Sequence, residues 1–135
     1  MKFEDLMIND YVVVKEPDKY LGFIGVVRNI GVETNCITLH VPLCNTDVFV
    51  EDVEGIPITS EFLEKNGFRK IHDSVENTDN FMCNYFPFFL VESKKLWWTC
   101  TYDSSPEIWN LFPIQYVHEL QHAIKLCGQD RKLVI

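Results

Sequence analysis

The apolar residues in the first half of this chain occur in short runs that turn-forming residues interrupt. From Cys36 to Val41, apolar and polar side chains alternate, which is the pattern of a strand with one buried face. Glycine and proline residues separate the neighbouring runs. The sequence therefore predicts four short strands in this half, at residues 11–15, 23–30, 36–41 and 47–53.

Three glycines frame the second of these runs and indicate how the strands bend. Gly22, Gly25 and Gly31 suit bulges or tight turns, because glycine accepts backbone conformations that other residues avoid. Short strands that bend at glycines are typical of strongly curved sheets. We therefore expect an N-terminal curved antiparallel sheet or a small Src-homology-3-like barrel, a shape that serves many functions.

The second half of the chain mixes helix and strand signals. Thr59 can cap a short helix, and Gly67 suits the left-handed position after its end. Pro113 can open a second helix that Gly128 closes. Between and after the helices, the expected elements are a polar loop at 73–80, a β-hairpin of residues 81–92 and 96–102, a turn at 103–107, a helix at 113–127 and a last short strand at 131–135.

These elements predict an α+β fold. A chain of 135 residues fits one domain, 1–135, and can bury a core without metal or disulfides. The change in pattern near the middle predicts two possible lobes. They are a β-rich, barrel-like lobe at 1–57 and an α+β lobe at 58–135.

The charge of the chain is acidic and uneven. The net charge is −8, and residues 1–57 hold four basic side chains against ten acidic ones. Binding to a phosphate backbone requires clustered Lys and Arg, which neither half contains. The composition therefore disfavours nucleic acid as a partner.

The cysteines and the apolar runs indicate a cytoplasmic protein. Five cysteines, an odd number without a C-x-x-C pair, form neither a disulfide framework nor a zinc ribbon. The N-terminus has no signal-peptide pattern, and no apolar run reaches the roughly 18 residues of a membrane span. We expect free thiols, a cytoplasmic location and no membrane partner.

One motif carries recognisable chemistry. His118, Glu119 and His122 form H-E-L-Q-H, which matches the H-E-x-x-H signature of zinc metallopeptidases. Two histidines four residues apart on a helix can share a zinc ion, and the glutamate can take a proton from zinc-bound water. The alternative function is thus a zinc-dependent metallohydrolase with His118 and His122 as metal ligands and Glu119 as the catalytic base.

Placement argues against that alternative. A catalytic zinc needs a third protein ligand, and no motif positions His40, His72 or Asp130 for this role. On a helical wheel the apolar face, which includes Val117, Leu120 and Ile124, lies nearly opposite both histidines. We therefore expect His118, His122 and Lys125 to lie on a solvated face or an interaction surface.

Two adjacent tryptophans allow a further alternative. Trp97 and Trp98 point to opposite faces of a strand, so one should be buried and the other partly exposed. The exposed ring, beside Tyr85 or Tyr102, could bind a small molecule or a partner. The other interpretation is that both rings pack in a core or a subunit contact.

Three stretches resemble a known group of sequences. They are E-D-L-M-I-N-D-Y-V near the start, I-P-I-T-S-E-F-L-E-K-N-G-F in the middle and Y-V-H-E-L-Q near the end. The pattern resembles uncharacterised small proteins of gut anaerobic bacteria, their phages and integrated mobile elements. In that group Asn usually follows the last stretch, so Tyr116, Val117, His118, Leu120 and Gln121 match whereas His122 departs.

These observations lead to one functional expectation. The resemblance supplies no assigned activity that could be carried over, and neither a phosphate loop nor a nucleophile elbow occurs in the sequence. We expect a non-enzymatic accessory or protein-interaction domain, and the resemblance implies an association with a phage or mobile element. It would have no cofactor and an unknown protein partner.

Overall fold

The computed structural model describes residues 1–16, 21–74, 76–93, 96–102 and 108–135, and for 102 and 108–110 it describes the backbone alone. The chain divides into two compact units, Met1–Ile56 and Pro57–Ile135. Within the described ranges, each unit contains one five-stranded antiparallel sheet, and the second unit also contains both α-helices. The fold is α+β, as the sequence predicted.

The first unit is a curved antiparallel sheet. Its strands pair in the order β4-β3-β2-β1-β5, so the last strand returns to lie beside the first. This return curls the sheet, as expected from the short strands and their glycines. The strand bounds are β1 Tyr11–Val14, β2 Ile24–Gly31, β3 Cys36–Val41, β4 Cys44–Phe49 and β5 Val53–Gly55, with short 3-10 turns at Phe3–Asp5 and Val50–Asp52.

Alternate residues of these strands build the core of the first unit. Val12, Val27, Ile37 and Leu39 are completely buried, because every second side chain of a strand points to the same face. Gly25 pairs with Val12, and a Cβ atom at this glycine would lie 3.0 Å from Cδ1 of Leu39. The absence of a side chain at Gly25 therefore leaves room for the side chain of Leu39 in the core.

The second unit is built on an antiparallel meander. Its strands pair in chain order, β10-β9-β8-β7-β6, so β6 and β10 form the two edges. Phe81 and Trp97 lie on one face of the sheet and meet edge to face, with ring centroids 5.2 Å apart. The element bounds are α1 Ser60–Lys65, β6 Arg69–Asp73, β7 Thr78–Met82, β8 Phe89–Ser93, β9 Leu96–Tyr102, β10 Ile108–Ile114 and α2 Val117–Leu126.

The first helix forms as its caps predicted. The hydroxyl oxygen of Thr59 accepts a hydrogen bond from the backbone N–H of Phe62 at 3.1 Å. Gly67 follows the helix with a φ of +84°, a left-handed conformation that glycine adopts without strain. Leu63 is fully buried and supplies the inner side of the helix.

The strands between α1 and β9 differ from the prediction. The polar loop predicted at 73–80 is shorter than expected, because β6 ends at Asp73 and β7 begins at Thr78, and the two strands pair as a hairpin. Residues 81–92 are not one strand, since Phe81 belongs to β7 and β8 starts only at Phe89. Phe86 and Phe88 are buried in the connection, so an apolar run occurs there without a strand. Pro87 lies in the same connection.

The last helix and the last strand also differ from the prediction. Pro113 belongs to β10, an edge strand where the missing N–H breaks no pairing, and α2 begins at Val117. Residues 131–135 form no strand, and their backbone is held instead by the side chain of Asn66. The predicted turn at 103–107 lies outside the described residues.

The sequence also predicted free thiols and no membrane-spanning segment. All five cysteines are free thiols. Burial raises the pKa of the Cys100 thiol, which keeps it protonated and inert. In the part of the chain that the structure describes, no helix has the length and apolarity required to cross a membrane.

Candidate functional site

The carboxylate of the H-E-L-Q-H motif caps its own helix. Glu119 lies in the first turn of α2, and its Oε2 accepts hydrogen bonds from the backbone N–H groups of Gln115 at 2.6 Å and Tyr116 at 2.9 Å. A negative charge at a helix N-terminus is also stabilised by the helix dipole. This geometry gives Glu119 a structural role and directs its carboxylate to the backbone.

His118 is buried, so its expected placement on a solvated face was wrong. Its exposed fraction is 2%, and its ring stacks on the ring of Tyr116 with centroids 5.7 Å apart. The helical wheel treated α2 alone and left out contacts from other residues, such as the stacked ring of Tyr116 just before the helix. The expected burial of Val117, Leu120 and Ile124 is confirmed.

The second histidine of the motif lies close to the first. His122 is partly buried rather than exposed, and its ring meets that of His118 edge-on at 5.8 Å between centroids. Lys125 is exposed, as expected. The motif thus brings its two histidines together.

The described residues contain no group of three His, Cys, Asp or Glu side chains that could hold a metal ion. His40 binds Oδ1 of Asn45 at 2.8 Å, and His72 binds Oδ1 of Asp79 at 3.0 Å. Each of these histidines thus contacts a residue of the neighbouring strand. A third ligand for His118 and His122 has no candidate within the described ranges.

The tryptophan pair has one buried and one partly exposed ring, as predicted. Trp97 is 4% exposed, and its Nε1 donates to the backbone oxygen of Ile58 at 3.1 Å. Trp98 is partly buried on the opposite face, in register with Val91 and Pro113. Trp97 therefore has a core role, and only Trp98 could contribute to a binding platform.

The suggested neighbours of that platform are otherwise placed. The guanidinium of Arg131 lies over the ring of Tyr85, 4.5 Å from its centroid, which is close enough for a cation–π contact. The side chain of Tyr102 lies outside the described residues. The small-molecule site therefore gains no support from Tyr85.

The sheet of the first unit has apolar residues on both faces. One face fills the core, and the other is partly exposed and was missed by the sequence analysis. Tyr11 lies opposite Val26 and Val13 lies opposite Ile24, and these four residues lie on one side of the sheet. Ile24 is 40% exposed and the other three are partly exposed. We call these four residues the N-terminal outer face.

The signal for this face was present in the sequence. In the run Y-V-V-V of β1, both alternate sets of residues are apolar, whereas a strand with one solvated face has polar residues in one set. Val12 and Val14 fill the core, which leaves Tyr11 and Val13 for the opposite side. An unbroken apolar run in a strand that fills the core with one face therefore indicates an apolar outer face.

The surroundings of the N-terminal outer face are polar and acidic. Glu54 pairs with Val13 and is exposed on the same side of the sheet. Further along that side, Asp47 accepts a hydrogen bond from Thr38 at 2.6 Å. The whole unit carries four basic and ten acidic side chains. An apolar centre with an acidic surround complements a surface that is apolar and basic.

The fold and this face define an α+β protein with one curved and one meandering antiparallel sheet. Comparisons of the chain with protein-family models, with curated proteins and with solved structures gave no match.

Proposed function

We propose that this chain is a non-enzymatic protein-interaction domain and that its N-terminal outer face binds a basic, partly apolar surface of a protein partner. The observation that carries the proposal is the register of Val13 with Ile24 and of Tyr11 with Val26 on a partly exposed side of an acidic unit. Apolar side chains in contact across strands form one continuous surface.

The charge of the unit supports a basic protein as the partner. Ten acidic side chains against four basic ones repel a phosphate backbone and attract a cationic surface. The apolar centre supplies area to bury, and the acidic surround supplies the rate of encounter and the orientation. The same charge supports an expected absence of nucleic acid among the partners.

The geometry of α2 favours this function over the zinc-dependent hydrolase. A catalytic base must reach the water that it activates, whereas the carboxylate of Glu119 accepts hydrogen bonds from the backbone N–H groups of Gln115 and Tyr116, just before its helix. The cytoplasmic location belongs to the proposal, with free cysteines as its support. The accessory role in a phage or mobile element rests on the sequence resemblance alone.

Affinity capture from the source cells tests the proposal. The tagged full chain should retain a basic protein, and the double variant Val13→Ser/Ile24→Ser should lose it. Val32→Ser is the matched control, because Val32 is 67% exposed and lies outside the face, in the turn after β2. Circular dichroism melts of all three proteins check that the fold is kept.

The captured protein is then purified and its affinity is measured by calorimetry at increasing salt. The dissociation constant should rise with ionic strength, since screening weakens the charge attraction. Equal affinity of the wild type and the double variant would overturn the proposal. So would one equivalent of zinc per chain together with peptide hydrolysis that Glu119→Gln abolishes.

A further inference from the structure

The second unit has an exposed edge strand. β6 is the last strand of its sheet, and among the described residues no other strand pairs with its outer side. Arg69, Lys70, Ile71 and His72 are all exposed, and Ile71 is 45% exposed. In an antiparallel pair, successive residues direct their backbone N–H and C=O groups alternately towards and away from the partner. β6 therefore offers part of its backbone to a further strand.

The sequence of β6 is complementary to itself in one antiparallel register. A two-fold axis normal to the sheet must bring residues of the same face together, so it can pass through Lys70, Ile71 or His72. An axis at Ile71 places Arg69 of each copy opposite Asp73 of the other and brings the two Ile71 side chains into contact. The face of this central register thus pairs opposite charges around an apolar centre.

The other two registers are less favourable. An axis at Lys70 places two Lys70 side chains opposite each other, and like charges directly opposite are destabilising. An axis at His72 places Ile71 opposite Asp73, which pairs an apolar side chain with a carboxylate. The charge pattern therefore selects the axis at Ile71.

The opposite face of β6 tolerates the selected register. There Lys70 comes to lie opposite His72 of the other copy, and both side chains already contact Asp79 of their own chain. The Lys70 Nζ lies 3.2 Å from Oδ2 of Asp79, and the His72 Nδ1 lies 3.0 Å from Oδ1. The carboxylate of Asp79 thus offsets the positive charge on that face.

We propose that β6 is a self-association site and that two copies of this chain pair their β6 strands antiparallel about Ile71, joining two five-stranded sheets into one of ten strands. This interaction is separate from the N-terminal outer face and does not depend on it. The edge has only five residues, so the dimer is weak and forms only at high protein concentration.

Charge reversal provides the sharpest test. Arg69→Asp puts aspartate at both ends of the strand, and Asp73→Arg puts arginine at both ends. Each variant should pair with itself more weakly than the wild type, but each offers the charges that the other lacks. An equimolar mixture should therefore form the heterodimer.

Sedimentation velocity of the full chain from about 1 µM to about 1 mM covers the range expected for a weak interface. The wild type and the mixture should form dimers, and each single variant should dimerise at least about tenfold more weakly. Lys125→Glu, an exposed charge reversal on α2, is the matched control and should dimerise like the wild type. A mixture that stays monomeric while the wild type dimerises would overturn this register.

Disulfide trapping locates the axis. In a Cys44→Ser background, which removes the one exposed thiol among the five cysteines, Ile71→Cys should cross-link under mild oxidation. Lys70→Cys should not, because it would face His72 of the other copy. A wild type that remains monomeric over the whole concentration range, or stronger cross-linking at position 70 than at 71, would overturn the proposal.

Discussion

The side-chain amide of Asn66 binds both backbone polar groups of Val134. Its Nδ2 donates to the Val134 oxygen at 2.9 Å, and its Oδ1 accepts from the Val134 N–H at 2.7 Å. The same Nδ2 also donates to the oxygen of Phe62, the last-turn carbonyl of α1. One buried amide therefore closes a helix and holds the C-terminal segment in place of a strand.

Asn66→Leu should lower the free energy of unfolding by about 1–3 kcal/mol. The substitution keeps a similar volume but leaves the partly buried backbone N–H and C=O groups of Val134 without their side-chain partner. Urea denaturation measures the change. Lys65→Ala is the matched control, because its exposed Nζ contacts the Ile135 oxygen and its loss should cost less than about 1 kcal/mol. Equal effects of the two substitutions would contradict the role of the buried amide.

Glu119→Ala should destabilise the protein by about 1 kcal/mol, because two N–H groups at the start of α2 lose their acceptor. The thermal midpoint should fall by a few degrees in a calorimetric scan. Removal of metal with a chelator should change neither the wild type nor the variant. A wild type that melts at lower temperature with chelator would instead indicate a bound metal that involves this motif.

His118→Ala should cost about 1–3 kcal/mol, and His122→Ala should cost less. The first substitution empties a buried site beside Tyr116, whereas the second removes a partly exposed ring. Chemical denaturation of both variants compares them directly. An equal and small loss for both would show that His118 is accessible to water in solution.

The carboxyl of Asp79 should titrate at a lower pH than an ordinary aspartate. Hydrogen bonds from His72 and then Lys70 lower its pKa. Because the folded-state pKa is the lower one, the contribution to stability is present above the ordinary aspartate pKa. It is lost as the pH falls through the folded value. NMR titration of this carboxyl should show the midpoint move up in His72→Phe, with Arg28→Ala as a control in the other unit. An unchanged midpoint would exclude the His72 contact as the cause.

The sequence predicted the elements whose signals are local. The alternation in residues 36–41 gave β3 its observed bounds, and Thr59 and Gly67 marked both ends of α1. The sequence analysis did not predict β6, because an edge strand without a buried side chain has no alternation of apolar and polar residues. β6 forms by pairing with β7, and the pairing of two strands cannot be recognised from the residues of one strand alone.

The roles of the candidate site residues could not be predicted from the sequence for a related reason. The sequence analysis correctly placed His118 and His122 on a helix. It could not predict that His118 is buried, because contacts outside the helix, such as the one with Tyr116, are not visible in the helical pattern. The sequence analysis assigned Glu119 to a zinc signature alone, whereas the distances from its carboxylate to the backbone show that it caps the helix. Local patterns therefore supplied the residue types, and tertiary contacts decided their roles.

Pro113 and the irregular register at Leu111 both lie on β10, at the sheet edge opposite β6. A proline has no N–H to offer a new strand, and a bulge interrupts the spacing that such a strand would need. A sheet that can extend at one end only stops growing after one addition. Association through β6 thus stops at the dimer. The edge at β10, which is unsuited to pairing with a further strand, protects the dimer against growth into filaments.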